Sequence, residues 1–196
     1  MKDDRYEIRF GGSGGQGIIL AAVILAEAAG VYEGYYACQT QSYGPEARGG
    51  RSKAEVVISR NEIDYPKVIQ MDLFLAMNQA ALDAYFFDFK PNGLLIVDST
   101  FVKQLPSSRA ISIPFTRIAR NDIGKELVAN IVALGAVGLL SRKFSSDNLE
   151  KSVISRVPQQ FRDINVQALH AGMKAASEVD LAYLPRSITT DEEKEV

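Results

Sequence analysis

The stretch RFGGSGGQGIILAAVILAEAAG, residues 9–30, decides the fold of this chain. An alternation of apolar and polar residues over Tyr6–Phe10 predicts a short strand, and the Ala-, Ile- and Leu-rich run over residues 16–29 predicts a helix that ends near Gly30. Five glycines fall within residues 9–17 and predict a turn over residues 11–17. A strand, a glycine turn and a helix in this order predict the first unit of an α/β fold.

The turn carries Gly12, Gly14 and Gly17 in the pattern G-x-G-x-x-G, which is typical of a dinucleotide site. Such a site also needs an acidic residue about 20 residues further on, at the end of the second strand, to bind the ribose 2′-hydroxyl. The segment YYACQTQSYG, residues 35–44, contains no acid there, and no arginine that would accept a 2′-phosphate. The sequence therefore disfavours NAD, and no G-K-[ST] follows that would make a Walker P-loop.

Two interpretations of the turn remain open. Free N–H groups at the start of a helix favour an anion, and glycines let the backbone approach a ligand closely. Alternatively, the glycines only allow tight packing of the strand against the helix.

The rest of the chain alternates strand and helix patterns before it becomes helical after Pro114. Apolar strand cores separated by helical stretches predict a mostly parallel sheet with helices on both faces, which is a Rossmann-like three-layer sandwich with a helical C-terminal third. We expect one domain over residues 1–184 and a polar, flexible tail over residues 185–196. Further strands are predicted at 35–40, 52–59, 71–77, 94–99 and 109–114, helices at 78–87, 115–120, 124–140, 146–157 and 158–178, and a turn at 91–93.

In such a sheet the ligand site lies outside the carboxyl ends of the strands. Four segments follow predicted strands and are therefore expected to gather at one edge. They are residues 11–17, residues 41–51, Asn78 and Asp98–Ser99.

Composition narrows the classes of function. The formal net charge of −2 gives no reason to expect a nucleic acid or a membrane surface as partner. One cysteine, Cys38, and one histidine, His170, cannot supply an internal disulfide, a structural zinc site or an iron–sulfur cluster. The most apolar stretch has about 12 residues, well short of the roughly 20 that span a bilayer. With no signal-peptide pattern at the N-terminus, the expected location is cytoplasmic.

A second glycine loop, SYGPEARGGRS, covers residues 42–52. Tyr43 offers an aromatic face with a hydroxyl, and Arg48 and Arg51 flank the pair Gly49-Gly50. Two arginines can hold a phosphate or a carboxylate with paired hydrogen bonds. The alternative is an exposed loop whose charges are solvated.

Together the two loops resemble the gamma subunit of 2-oxoacid:ferredoxin oxidoreductases. The resemblance covers roughly residues 6–178, and the start RFGGSGGQGIILAA is closer to the 2-oxoglutarate members than to the pyruvate members. The motifs that carry it are GSGGQG (12–17), SYGPEARGG (42–50), AEVVIS (54–59), NEIDYPKV (61–68), MNQAALDAY (77–85) and GKELVANIVALGAV (124–137).

The resemblance implies an oxidoreductase that decarboxylates a 2-oxoacid and releases acyl-coenzyme A, with electrons passing singly to ferredoxin. It implies that thiamine diphosphate and the iron–sulfur clusters belong to partner subunits, the alpha, beta and ferredoxin-like delta counterparts. This chain is then expected to bind no metal, to carry no catalytic residue and to be inactive alone. Pyruvate, branched-chain 2-oxoacids and indolepyruvate are the alternative substrates within the family.

The gamma part of the family is implied to aid assembly and to contribute to the coenzyme A site. We therefore expect the two loops to form one wall of that site. The residues predicted to contact the cofactor are Gly12, Gly14, Gly15, Gln16, Gly17, Tyr43, Arg48, Gly49, Gly50 and Arg51. Two alternatives stay open, a purely structural interface subunit and a stand-alone nucleotide-binding oxidoreductase.

Four other positions have ordinary structural interpretations. We expect Cys38 to be a small buried residue and His170 to be at or near the surface without a catalytic role. Asp98 and Ser99 are expected to make a turn and a cap. Asn130 lies in an apolar helix and needs a hydrogen-bond partner, either in a glycine loop or on another subunit.

Overall fold

The fold is described from a computed structural model, which covers residues 4–43, 51–107 and 109–184. The tail predicted at 185–196 lies outside these residues. The described part forms a six-stranded sheet with helices on both sides. The strands are β1 (Tyr6–Ser13), β2 (Tyr36–Tyr43), β3 (Arg51–Ser59), β4 (Met71–Ala76), β5 (Phe89–Asp98) and β6 (Ala110–Ile113).

The strand order is β2-β3-β1-β4-β5-β6. Strands β1, β4, β5 and β6 are parallel neighbours, whereas β3 is antiparallel to both β1 and β2. The predicted α/β sandwich with a mostly parallel sheet is confirmed, but the sheet is mixed. Only seven residues of sequence lie between β2 and β3, fewer than a parallel crossover needs, and the two strands form an antiparallel pair with β3 beside β1.

Within the described residues, six α-helices cover the sheet. They are α1 (Ile18–Glu27), α2 (Gln79–Tyr85), α3 (Phe115–Asn121), α4 (Ala129–Ser141), α5 (Ser146–Arg156) and α6 (Arg162–Ser177). A π-helical turn, Ala28–Tyr32, extends α1. A 3-10 turn, Glu126–Val128, precedes α4. A second, Gln159–Phe161, precedes α6, and a third, Leu181–Tyr183, follows it.

The main core lies between one face of the sheet and helices α1 and α3 to α6. Helix α4 is buried almost all round, because its residues are apolar on every side. Its Gly135 packs against the backbone of Leu169 in α6, and Gly172 of α6 packs against the backbone of Val132, so closely that an added Cβ would clash at either position. The opposite face of the sheet carries a smaller cluster under α2, with Phe74, Leu82, Leu95 and Val97 among its members.

Several element boundaries differ from the sequence predictions. Strand β1 continues to Ser13, since Gly11 and Gly12 pair with Lys53 and Ser52 of β3. Gly30 does not end the first helix, because the π-helical turn carries the chain to Tyr32. Helix α5 begins at Ser146 as predicted, with Ser145 as its N-cap.

The turn predicted at 91–93 is part of β5 instead. The pairing of β4 with β5 is irregular between Met71 and Leu73, and this irregularity accommodates the proline and the glycine of the segment. Gly93 also lies against the Phe89 ring, where a Cβ would clash.

Candidate functional site at the carboxyl edge of the sheet

The predicted segments meet at one edge of the sheet, as far as the structure describes them. Strands β1, β2, β4 and β5 end there, and β3 begins there, since Ser13 is opposite Arg51 and Tyr43 is opposite Ser52. We call this the carboxyl edge. Two cavities of about 550 and 260 Å³ open at it, and both are lined by Gly15 and Leu127.

The glycine turn, residues 13–17, separates the two cavities and leads into α1. Gly15 and Gly17 have φ values of 93° and 70°, a region that strongly favours glycine. Gly17 is the N-cap of α1 and, having no side chain, leaves the first amides of the helix without a side-chain cap. Among the described residues, the amides of Gly14, Gly15 and Gly17 have no hydrogen-bond partner.

The positions of the motif require glycine for different physical reasons. A Cβ on Gly12 would lie 2.9 Å from Ile18 Cγ2, and one on Gly17 would lie 2.5 Å from Asn130 Nδ2. A Cβ on Gly15 would meet nothing within 4 Å. Gly12 therefore serves close packing of the strand against the helix, and Gly17 combines close packing with its positive φ. Gly15 serves only the backbone conformation and faces open space.

Gln16 connects the turn to the start of α2. Its Oε1 accepts hydrogen bonds from Ser13 N–H at 2.8 Å, Ser13 Oγ at 3.0 Å and Asn78 Nδ2 at 2.7 Å, and its Nε2 donates to the Met77 carbonyl at 3.3 Å. Asn78 also caps α2, since its Oδ1 accepts from Ala81 N–H at 2.8 Å.

Asn130 holds the other end of the turn. Its Nδ2 donates to the Gly17 carbonyl at 3.0 Å, and the side chain is almost fully buried at the start of α4. The predicted partner of Asn130 in a glycine loop is confirmed.

Asp98 ends β5 and is fully buried. Its carboxylate accepts from Thr100 N–H at 2.9 Å, Thr116 N–H at 3.1 Å and Thr116 Oγ1 at 2.5 Å. These bonds tie the end of β5 to the start of α3. The interpretation of Asp98 as a turn and capping residue is confirmed.

Of the second glycine loop, the structure describes the two ends. Arg51 begins β3 with an exposed side chain, which makes no hydrogen bond or ion pair with any described residue. Tyr43 ends β2, whereas Arg48, Gly49 and Gly50 lie outside the described residues. The register places Arg51 directly beside the last residue of β1, next to the glycine turn.

Sequence reasoning did not single out the segment Lys125–Val128, which borders both cavities. Leu127 in this segment is 77% exposed, and Leu20 and Phe161 beside the smaller cavity are also exposed. Leu127 lies within the stretch 124–137, which predicts a helix, and nothing in that pattern indicates an exposed apolar side chain beside a cavity. Leu127, Leu20 and Phe161 form an apolar border around an otherwise polar turn.

The structure adds a second argument against a dinucleotide site. In that fold the strand after the first helix belongs to the same parallel unit as β1 and brings the ribose-binding acid to its end. Here β3 separates β2 from β1.

The other positions singled out from the sequence lie elsewhere. His170 is exposed on α6 and contacts Glu150 of α5 at 2.7 Å, and Cys38 is only half-buried in β2.

Within the described ranges, no group of three or more His, Cys, Asp or Glu side chains could hold a metal ion. No helix there is long and apolar enough to cross a membrane.

Comparison with known proteins identifies the family. The model of the pyruvate ferredoxin/flavodoxin oxidoreductase family matches residues 7–175. The chain belongs to this family. The prediction that rested on the two glycine loops is therefore confirmed.

Relatives within the family agree with the gamma-subunit assignment. The 2-oxoglutarate synthase subunit KorC of Methanocaldococcus jannaschii is 47% identical over 179 residues, which are 89% of this chain and 96% of that protein. The pyruvate synthase subunit PorC of Methanothermobacter marburgensis is 30% identical over 165 residues, or 83% and 92% of the two chains. The gamma subunit of a keto/oxoacid ferredoxin oxidoreductase from Geobacter sulfurreducens has a TM-score of 0.81 at 48% identity, with 88% of this chain and 97% of that chain covered.

The donor atoms of this chain do not fit the redox centres of such an oxidoreductase. An iron–sulfur cluster is usually held by four thiolates, and the sequence has one cysteine. What the described residues of the carboxyl edge offer instead is a set of backbone amides, the unpaired Arg51 and two cavities that share Gly15 and Leu127.

Proposed function

We propose that this chain is the gamma subunit of a 2-oxoglutarate:ferredoxin oxidoreductase and that its carboxyl edge forms one wall of the coenzyme A site. In this reaction 2-oxoglutarate loses carbon dioxide and two electrons, which pass singly to ferredoxin, and the succinyl group leaves as its coenzyme A thioester. Thiamine diphosphate and the iron–sulfur clusters are assigned to partner subunits, following the division of cofactors that the family resemblance implies. For the clusters, this chain also lacks the thiolates. The choice of 2-oxoglutarate follows the greater identity to the KorC proteins.

The observation that carries the coenzyme A proposal is the glycine turn. Its amides at the N-terminus of α1 have no partner among the described residues, and of these glycines Gly15 lines both cavities and Gly17 lines the smaller one. Amides at a helix N-terminus favour phosphate groups, and Arg51 adds a positive charge beside them. Arg48, in the same predicted loop, is proposed to take a second phosphate.

The shape of the carboxyl edge agrees with an elongated ligand. Coenzyme A combines a nucleotide bearing phosphates with a long, less polar arm. The larger cavity contains the polar groups of Ser13 and Asn78, and the smaller one is bordered by Leu20, Val157 and Phe161. Gly15 lines both cavities, and nothing lies within 4 Å of the position of a Cβ there.

The exposed apolar side chains also favour a protein partner at this edge. Leu127, Leu20 and Phe161 lose contact with water if a thiamine-binding subunit closes over the cavities. A purely structural subunit would use the same residues and leave the glycine amides without a ligand. Kinetics on the assembled complex separate these two functions.

The test compares two arginines at opposite ends of β3. Arg51 is the first residue of the strand, at the carboxyl edge, and Arg60 follows the strand at the amino edge, where it is paired with Asp4. In the reconstituted complex, Arg51→Ala is expected to raise the KM for coenzyme A by about tenfold, the effect of one lost charge-assisted hydrogen bond. The KM for 2-oxoglutarate is expected to stay the same, and Arg60→Ala is expected to change neither.

Arg48→Ala, measured in the same way, is expected to behave like Arg51→Ala. Intact assembly with an unchanged coenzyme A KM in both variants would contradict the coenzyme A proposal and favour a structural role. Turnover of pyruvate or a branched-chain 2-oxoacid in preference to 2-oxoglutarate would contradict the assigned substrate.

A further inference from the structure

We infer that Gln16 is a positioning residue that holds the glycine turn against the start of α2 and so keeps the free amides of the turn in place for an anionic ligand. The inference rests on the proposed function only for the identity of that ligand, coenzyme A. It concerns how the turn is held, and it gives the Gln16 side chain a role inside the protein.

The Gln16 carboxamide makes hydrogen bonds through both its oxygen and its nitrogen within the chain. Its oxygen accepts three hydrogen bonds, from the amide and hydroxyl of Ser13 and from Asn78. Its nitrogen donates to the Met77 carbonyl, and its backbone N–H donates to the Ser13 carbonyl at 3.1 Å. A ligand that bound the carboxamide oxygen would have to compete with these three internal donors.

The middle of the turn needs such a support because packing does not hold it there. Gly14 and Gly15 are exposed, and nothing lies within 4 Å of the position of a Cβ on Gly15. Glycines with open surroundings lose more conformational entropy on ordering than any other residue. Gln16 and Asn130 are the side chains that anchor the turn on its two sides, which lowers the entropic cost of binding a ligand there.

Asn78 links this support to a second element. Its Oδ1 caps α2, while its Nδ2 donates to Gln16 at 2.7 Å, so one side chain performs two separable tasks. Serine is as good an N-cap as asparagine but has no Nδ2 group. Asn78→Ser therefore keeps the cap and removes the link to Gln16 without introducing a charge.

The experiment uses Gln16→Met, which keeps the length of the side chain, Asn78→Ser and the double variant, each in the assembled complex. Each single change is expected to raise the KM for coenzyme A about fivefold, as for one lost hydrogen bond, with kcat at saturating coenzyme A and the KM for 2-oxoglutarate unchanged. The double variant is expected to show little more than one single change, because both remove the same link. Hydrogen exchange at the Ser13 amide is expected to become faster in all three.

Asn148→Ser is the matched control, since Asn148 Nδ2 donates to the Tyr32 carbonyl at the other end of α1. It is expected to leave the coenzyme A KM unchanged. If Gln16→Met raises that KM and Asn78→Ser does not, Gln16 acts directly on the ligand and the positioning role is overturned.

An unchanged coenzyme A KM in both single variants also overturns the inference. If Arg51→Ala raises the KM in that case, the coenzyme A site stands without this role for Gln16. If Arg51→Ala leaves the coenzyme A KM unchanged as well, both the role of Gln16 and the proposed coenzyme A site are contradicted.

Discussion

The two edges of the sheet use their polar groups in opposite ways. At the amino edge the carboxylate of Glu7, which is 2% exposed, accepts from the amides of Ile69 and Gln70 at 2.6 and 2.7 Å and from Arg5. At the carboxyl edge the glycine amides and Arg51 have no partner among the described residues. Polar groups that are paired internally stabilise the fold, whereas unpaired accessible ones are available to a ligand.

The amino edge continues this internal pairing beyond Glu7. Asp72 accepts from the Glu7 amide at 2.8 Å and from Lys90 Nζ at 2.8 Å. Burial, and then the charge of Asp72, raise the pKa of the neighbouring Tyr6 phenol above its usual value, so the phenol stays neutral. The contrast between the edges predicts that changes at the amino edge affect stability and leave the coenzyme A KM untouched.

The largest effect is expected for Glu7→Ala. Removing this carboxylate leaves two backbone amides and the Nε–H group of Arg5 without their acceptor, at a cost of about 3 kcal/mol in the free energy of unfolding. Denaturant unfolding of the isolated chain measures the loss. An increase in the KM for coenzyme A in the assembled complex would contradict the different roles assigned to the two edges.

A smaller effect is expected for Lys90→Met, which keeps most of the apolar stem and removes the charge. The Lys90–Asp72 pair is partly exposed, and Asp72 keeps its hydrogen bond from the Glu7 amide, so the expected loss of stability is about 1 kcal/mol. Unfolding curves of this variant and of Glu7→Ala, recorded side by side, test the order. A loss in Lys90→Met as large as that in Glu7→Ala would show that Glu7 is not the centre of this network.

The sequence was sufficient to predict which segments meet at the carboxyl edge, but not how the strands pair or which side chains hold the turn. Strand, turn and helix patterns located the glycine turn, and the rule for parallel strands brought Asn78 and Asp98 to the same edge. The sequence analysis did not predict that β3 is antiparallel to its neighbours. The sequence did indicate it, because no helical stretch separates residues 40 and 52, and a short connection between two paired strands requires an antiparallel pair.

The contacts that hold the turn are harder to predict from the sequence. Gln16 meets Met77 and Asn78 across about 60 residues of sequence, and no local pattern indicates which distant carboxamide a glutamine will contact. Asn130 was easier to anticipate, because a polar side chain in an apolar helix needs a partner. The apolar border at Leu127 depends on how the 3-10 turn before α4 is exposed, which only the tertiary structure determines.

Hydrogen exchange of the assembled complex, with and without coenzyme A, tests the central claim most directly. The account predicts that saturating coenzyme A slows exchange of the amides of residues 14–20, because the free amides of the glycine turn and of the start of α1 acquire a ligand. The amides of Ile69 and Gln70, already bonded to Glu7, are predicted to stay unchanged. Unchanged exchange over residues 14–20 at saturating coenzyme A would contradict the account.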